Sequence, residues 1–134
     1  METKIKIIIV DDNSQFISGL EFMLSKQPGI EVIGKANDGL ELLNHPMLSQ
    51  ANIILMDIEM PGMNGFETAK KVNWKFSRIK LIAITMYQEN VYLEKLISVG
   101  FRGFVNKSDI TTNLFRVISL VNENKFIFPE QIHL

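Results

Sequence analysis

Three nearly unbroken apolar runs rich in β-branched residues set the strongest limit on the fold: Ile5 to Val10, Ile53 to Met56 and Leu81 to Ile84. A strand with one face in water alternates apolar and polar residues. A continuous run fits a strand covered on both faces, as in a parallel sheet. Two further runs, Ile30 to Ile33 and Phe101 to Val105, complete a set of five.

Helical spacing fills the intervals. Phe16, Leu20, Met23 and Gln27 share one helix face, widened by Ile17 and Leu24, with Asn13 or Ser14 as cap and Pro28-Gly29 as the stop. A second, short helix carries Leu40, Leu43 and Met47. A third carries Phe66, Ala69, Val72 and Phe76, with Trp74 partly buried near its end. A fourth starts near Asn90, carries Leu93, Leu96 and Ile97, and stops at Gly100. A fifth starts at Ser108-Asp109, where Ser108 can cap and Asp109 suits the positive end of the helix dipole; it runs through Leu114, Phe115, Ile118 and Val121.

Five strand-then-helix units predict an α/β domain: a (βα)₅ doubly wound three-layer sandwich with right-handed crossovers and a five-stranded parallel sheet in the order 2-1-3-4-5. One domain is expected for 134 residues, over residues 1–122. The remainder, 123–134, does not read as a sixth unit. Hydrophobic content of 46% with 22% charge is ordinary for a globular chain, and a net charge of −1 suggests neither a nucleic-acid nor a membrane surface. With no cysteine, disulfides, zinc–thiolate sites and thiol nucleophiles are excluded. The amino-terminal apolar run is too short for a signal peptide or a span, which favours a cytoplasmic protein.

The residues that end the strands carry the functional signal. The first ends Val10-Asp11-Asp12, the third Met56-Asp57, the fourth Ile84-Thr85 and the fifth Val105-Asn106-Lys107. Open parallel sheets bind ligands beyond the carboxyl ends of their strands, where the strand order reverses. Strands one and three are neighbours there, so Asp11, Asp12 and Asp57 converge, flanked by Thr85 and Lys107. Two carboxylates ~5 Å apart at an effective dielectric of ~20 repel by roughly 3 kcal/mol. Three acids and one lysine leave about −2, which a hard divalent cation would offset. Mg²⁺ takes oxygen ligands and keeps several waters. Zn²⁺ fits less well, since His45 and His133 lie far from these acids in sequence. A metal, a lysine and a hydroxyl together suit a phosphoryl group, and a carboxylate can accept one.

Each residue alone has a plainer reading. Asp11-Asp12 could be a helix-start turn, Asp57 a loop acid before Pro61-Gly62, and Lys107 a solvated strand end. Thr85 could be structural and Phe104 core. The coincidence of the acids, Thr85 and Lys107 at four strand ends outweighs those readings; for Phe104, inside a strand, the residues alone favour the core.

The chain resembles the receiver domain of bacterial two-component response regulators. Asp11-Asp12, the stretch Asp57-Ile58-Glu59-Met60-Pro61-Gly62-Met63-Asn64-Gly65, Thr85 and Gly103-Phe104-Val105-Asn106-Lys107 carry the likeness, over residues 4 to about 122. The resemblance implies the flavodoxin-like receiver fold. It implies Asp57 as acceptor of a phosphoryl group from a sensor histidine kinase, and Mg²⁺ held directly by Asp12 and Asp57, through water by Asp11, and by the backbone carbonyl of Glu59. Lys107 would pair with the phosphoryl oxygens and Thr85 would swing in to hydrogen-bond them. Phe104 holds the family's rotating aromatic position and would fill the space Thr85 leaves, remodelling the fourth helix, fifth strand and fifth helix. The resemblance also implies that Glu59 and Tyr87 would tune phosphoryl lifetime, and the bulk of Met86 and Tyr87 would slow access of water or a partner to the site.

Ser108 stands where many receivers have proline, and Met86 where many have a small residue. Both features, with the Pro-Gly-Met-Asn-Gly turn and the tail, resemble the LuxR/NarL/FixJ-type branch, whose carboxyl-terminal helix-turn-helix domain binds DNA. The expectation is a receiver cut from a longer transcription regulator, with 123–134 starting a linker, or else a stand-alone receiver acting on proteins. It is a signalling module, at most catalysing its own phosphotransfer and dephosphorylation. It would dimerise on phosphorylation, reach DNA only through an absent effector domain, and not engage membranes.

Competing functions fit less well. An Mg²⁺-dependent phosphatase with an aspartyl phosphate intermediate needs Asp-x-Asp at the nucleophile, where this chain has Asp57-Ile58-Glu59. A nucleotide or flavin binder needs a glycine-rich first loop, where this chain has Asp12-Asn13-Ser14-Gln15.

Overall fold

The computed structural model describes residues 3–58, 64–86 and 91–128, with only the backbone of 91–93. Expectations for Glu59, the Pro61-Gly62 turn, Tyr87, Leu93 and the chain after 128 lie outside the described residues.

The elements alternate as expected: β1 (Ile5–Val10), α1 (Ser14–Ser25), β2 (Ile30–Ala36), α2 (Gly39–Leu43), β3 (Ile53–Met56), α3 (Gly65–Lys75), β4 (Lys80–Thr85), α4 (Val91–Ser98), β5 (Phe101–Asn106) and α5 (Ile110–Asn122). All strand pairs are parallel and the sheet order is β2-β1-β3-β4-β5. Alternate residues of each strand point to opposite faces. Ile8, Val10, Ile54, Met56 and Ala83 pack with Leu42, Phe66, Ala69, Val72 and Leu96 from α2, α3 and α4. Ile7, Ile9, Ile53, Leu55 and Ile82 pack with Leu20, Leu24, Leu114 and Ile118 from α1 and α5. Two cores on one sheet explain the unbroken apolar runs.

Helix caps decide several boundaries. Asn13 caps α1, its side chain accepting the N–H of Phe16 at 3.1 Å. That helix stops at Ser25, before Pro28-Gly29, because Lys26 already turns its N–H to Leu24 and Met23. In α2 the buried residues are Gly39 and Leu42; Leu40 is exposed, and Met47 lies beyond the helix. Asp38 caps α2, which sets the face that turns inward. Ser108 is not the cap before α5. It sits in a 3₁₀ turn, Lys107–Asp109, capped by Asn106, whose side chain accepts from both the N–H and hydroxyl of Ser108. Trp74 is not partly buried: it is 88% exposed. The inward face of α3 is spent on Phe66, Ala69 and Val72, and Trp74 follows Val72 by two residues, on the opposite side.

After α5 the chain turns through Asn124 at positive φ and returns to the outer edge of the sheet. Ile127 forms a single parallel bridge to Gly103. Its N–H donates to the Arg102 carbonyl at 2.9 Å, and its carbonyl accepts from Phe104 at 3.1 Å. Residues beyond Asn122 thus cover part of the β5 edge, a placement that strand-and-helix periodicity did not reveal.

Candidate phosphoryl-acceptor site

The β1–β3 ladder runs without a register shift, Ile7 against Ile53 through Val10 against Met56. Asp11 and Asp57 are the next residue on each strand. The Asp57 N–H donates to the Val10 carbonyl at 2.9 Å, and that of Asp11 to Ala36 at 3.0 Å, so both backbones stay tied to the sheet. Both acids are buried, at 1% and 6% exposure, while Asp12 is exposed. Oxygen atoms of Asp11, Asp12 and Asp57 lie within 4.8 Å of one another.

Lys107, just past β5, completes the cluster. Its Nζ lies 2.8 Å from Asp11 Oδ2 and 3.2 Å from Asp57 Oδ2. The other Asp11 oxygen accepts the Asn13 N–H at 2.8 Å. Burial pulls the Lys107 ammonium downward, but its hydrogen bond to Asp11 and the charges of Asp57 and Asp11 outweigh this and raise its pKa above the ordinary 10.5. The ammonium also rests on the Phe16 ring, 4.3 Å from its centroid, a cation–π contact with α1 that the strand-end pattern did not point to.

The start of α3 is tied to the residues that follow β3. The Gly65 N–H donates to the Ile58 carbonyl at 3.2 Å. A Cβ at Gly65 would meet Ile58 Cα at 2.5 Å and the Asp57 carbonyl at 2.9 Å, so only glycine lets α3 start this close to the acid. Asn64 caps α3 by accepting the N–H of Glu67 at 2.9 Å.

Thr85 is buried at the end of β4, in register with Asn106. Phe104 is buried in the core on the α2, α3 and α4 side. Met86 is exposed. Asn106 Nδ2 is buried with no hydrogen-bond partner among the described residues.

The donor set fits a hard divalent ion. Octahedral ligands at about 2.1 Å stand no more than roughly 4.2 Å apart, so a 4.8 Å spread suits an ion that takes some carboxylates directly and others through retained water. Three carboxylates against one ammonium leave two negative charges for such an ion to offset.

The chain is similar to several known proteins. Over 127 residues the chain is 31% identical to the response regulator GacA of Pseudomonas syringae pv. syringae, covering 94% of this chain and 59% of that protein. It is 28% identical over 128 residues to the transcriptional regulatory protein DesR of Bacillus subtilis, covering 96% of this chain and 63% of that one. The chain therefore spans about three-fifths of these relatives. The isolated receiver domain of RcsB from Salmonella enterica serovar Typhimurium, solved with the phosphomimetic BeF₃⁻, superposes with a TM-score of 0.86 at 25% identity, covering 97% of this chain and 96% of that one. No helix among the described residues is long and apolar enough to cross a membrane. Residues 7–119 match the family model of the response regulator receiver domain, and the chain belongs to that family.

Proposed function

We propose that Asp57 accepts a phosphoryl group from the phosphohistidine of a sensor histidine kinase, in the cytoplasm, and that this biases the receiver between two arrangements. The supporting observation is Lys107 lying between Asp11 and Asp57, at 2.8 and 3.2 Å, within a cluster of three carboxylates. In the transfer a carboxylate oxygen of Asp57 bonds to phosphorus. The phosphorus–nitrogen bond to the kinase imidazole breaks, and the nitrogen keeps the electron pair. Asp12 and Asp57 would hold Mg²⁺ directly, Asp11 through water, with the carbonyl of Glu59 completing the protein ligands. The ion would offset charge on the phosphoryl oxygens. Lys107 would exchange its contact with Asp57 for one with a phosphoryl oxygen.

Thr85 would hydrogen-bond the phosphoryl group, and Phe104 would shift as Thr85 moves. The readout is the face of α4, β5 and α5, through dimerisation or release of an effector domain. In a longer protein that effector would bind DNA, as for the LuxR/NarL/FixJ-type regulators. Met86, with Glu59 and Tyr87, would set phosphoryl lifetime by limiting access to Asp57.

Incubation with Mg²⁺ and acetyl phosphate, followed by intact mass, tests the reading. A phosphate-sized gain in the wild type, absent from Asp57→Asn and from the wild type in EDTA, is expected. An equal gain in Asp57→Asn would overturn it.

A further inference from the structure

The side of the molecule formed by α2 and α3 carries a feature that phosphoryl transfer leaves unused. A groove of about 580 Å³ runs between these helices, floored by Leu43, Leu48, Val72 and Phe76. That volume accepts several apolar side chains. Trp74 stands at its wall, almost wholly in water. Single exposed apolar residues are common, but this one adjoins a ready-made apolar floor.

Charge surrounds the same groove. Lys70, Lys71 and Lys75 line it with Trp74, and among the described residues Glu67 is the one carboxylate that lines it with them. Residues 70 and 74, and 71 and 75, are i, i+4 neighbours, so these four form two adjacent rows on the outer side of α3. None of the three lysines is in an ion pair among the described residues. On a chain of net charge −1, this is a local excess of positive charge with no carboxylate paired to it among the described residues, although Lys75 lies over the Phe76 ring, 5.6 Å from its centroid.

We infer that the α2–α3 groove is a docking site for a protein partner presenting an acidic amphipathic helix. The partner's apolar residues would enter the groove against Trp74 and Phe76. Its carboxylates would meet Lys70, Lys71 and Lys75. Charge complementarity favours this occupant: an apolar segment alone would leave three lysines unpaired, and an acidic segment alone would leave the floor unfilled. Helix-in-groove recognition uses this combination of buried anchors and flanking charge. The site lies on the α2, α3 and α4 side of the sheet, on elements distinct from the α5 surface.

Trp74 is the only tryptophan, so its fluorescence reports on this site alone. The probe is a synthetic helical peptide with leucines on one face and glutamates on the other, titrated into the full chain at low salt. The expected result is a saturable shift of emission to shorter wavelength, weakened by added salt. With a dye on the peptide, binding should weaken at least about tenfold in Trp74→Ala and in K70E/K71E/K75E, all exposed positions. No saturable shift would overturn the inference. So would undiminished binding to the charge-reversed variant, equal binding of polyglutamate without leucines, or a shift given by phosphatidylglycerol vesicles but not by the peptide.

Discussion

Val10 and Met56 are direct register partners across β1 and β3, and the residue after each is an aspartate. The hydrogen bond from Asp57 N–H to the Val10 carbonyl, at 2.9 Å, extends that pairing by one step. Two acids distant in sequence are thereby fixed side by side at the carboxyl ends of adjacent central strands. Their mutual repulsion is offset by Lys107, from the far end of β5.

Lys107→Met should therefore destabilise the fold. It removes the cation paired with Asp11, which is buried, and leaves that charge uncompensated. A loss of about 2–4 kcal/mol is expected from urea unfolding. Added MgCl₂ should restore more stability to this variant than to the wild type, because the ion replaces the missing positive charge. Asp11→Asn in the Lys107→Met background should recover part of the loss.

The same pairing fixes an alkaline limit. The Lys107 pKa is raised in the folded state, so its contribution is fully present below 10.5 and is lost as pH rises through the higher folded value. Unfolding free energy measured across that window should fall in the wild type. The component due to Lys107 should be absent from Lys107→Met.

Phe16 and Lys107 should be energetically coupled. Phe16→Leu keeps an apolar side chain against the α1–α5 core but removes the ring from beneath the ammonium. A double-mutant cycle with Lys107→Met should give a coupling of about 0.5–1 kcal/mol. A coupling near zero would mean that the contact has no energetic weight.

Gly65→Ala should loosen the carboxylate site without altering any side chain of the cluster. The new Cβ meets the backbone of Asp57 and Ile58, so the start of α3 or that backbone has to move. A cost of about 1–3 kcal/mol is expected in denaturant unfolding. Phosphorylation by acetyl phosphate should be slower than in the wild type.

Deleting residues 126–134 should uncover part of the β5 edge. The two backbone hydrogen bonds made by Ile127 would be lost, at about 0.5–1.5 kcal/mol each. The freed N–H of Phe104 and carbonyl of Arg102 would offer a template to other strands. Sedimentation velocity should show more self-association in the shortened chain than in the parent at equal concentration.

The sequence alone determined the fold class and the carboxylate cluster. Continuous β-branched runs alternating with helical spacing fit a parallel sheet covered by helices on both faces, and such a sheet brings its carboxyl-terminal strand ends to one edge. Asp11, Asp12, Asp57 and Lys107 were therefore legible as strand-end residues before any coordinates. Tertiary structure decided what depends on rotation and on contacts between distant segments. Whether Leu40 or Leu42 faces inward follows from where Asp38 caps a helix of five residues, too short for its spacing to choose a face. Trp74 is exposed because Val72 and its inward neighbours already fill the underside of α3. The Phe16 ring beneath Lys107 and the return of Ile127 to β5 join segments that no local pattern relates. Periodicity records which face of an element is buried, whereas a contact between elements exists only once the sheet has set the distance between them.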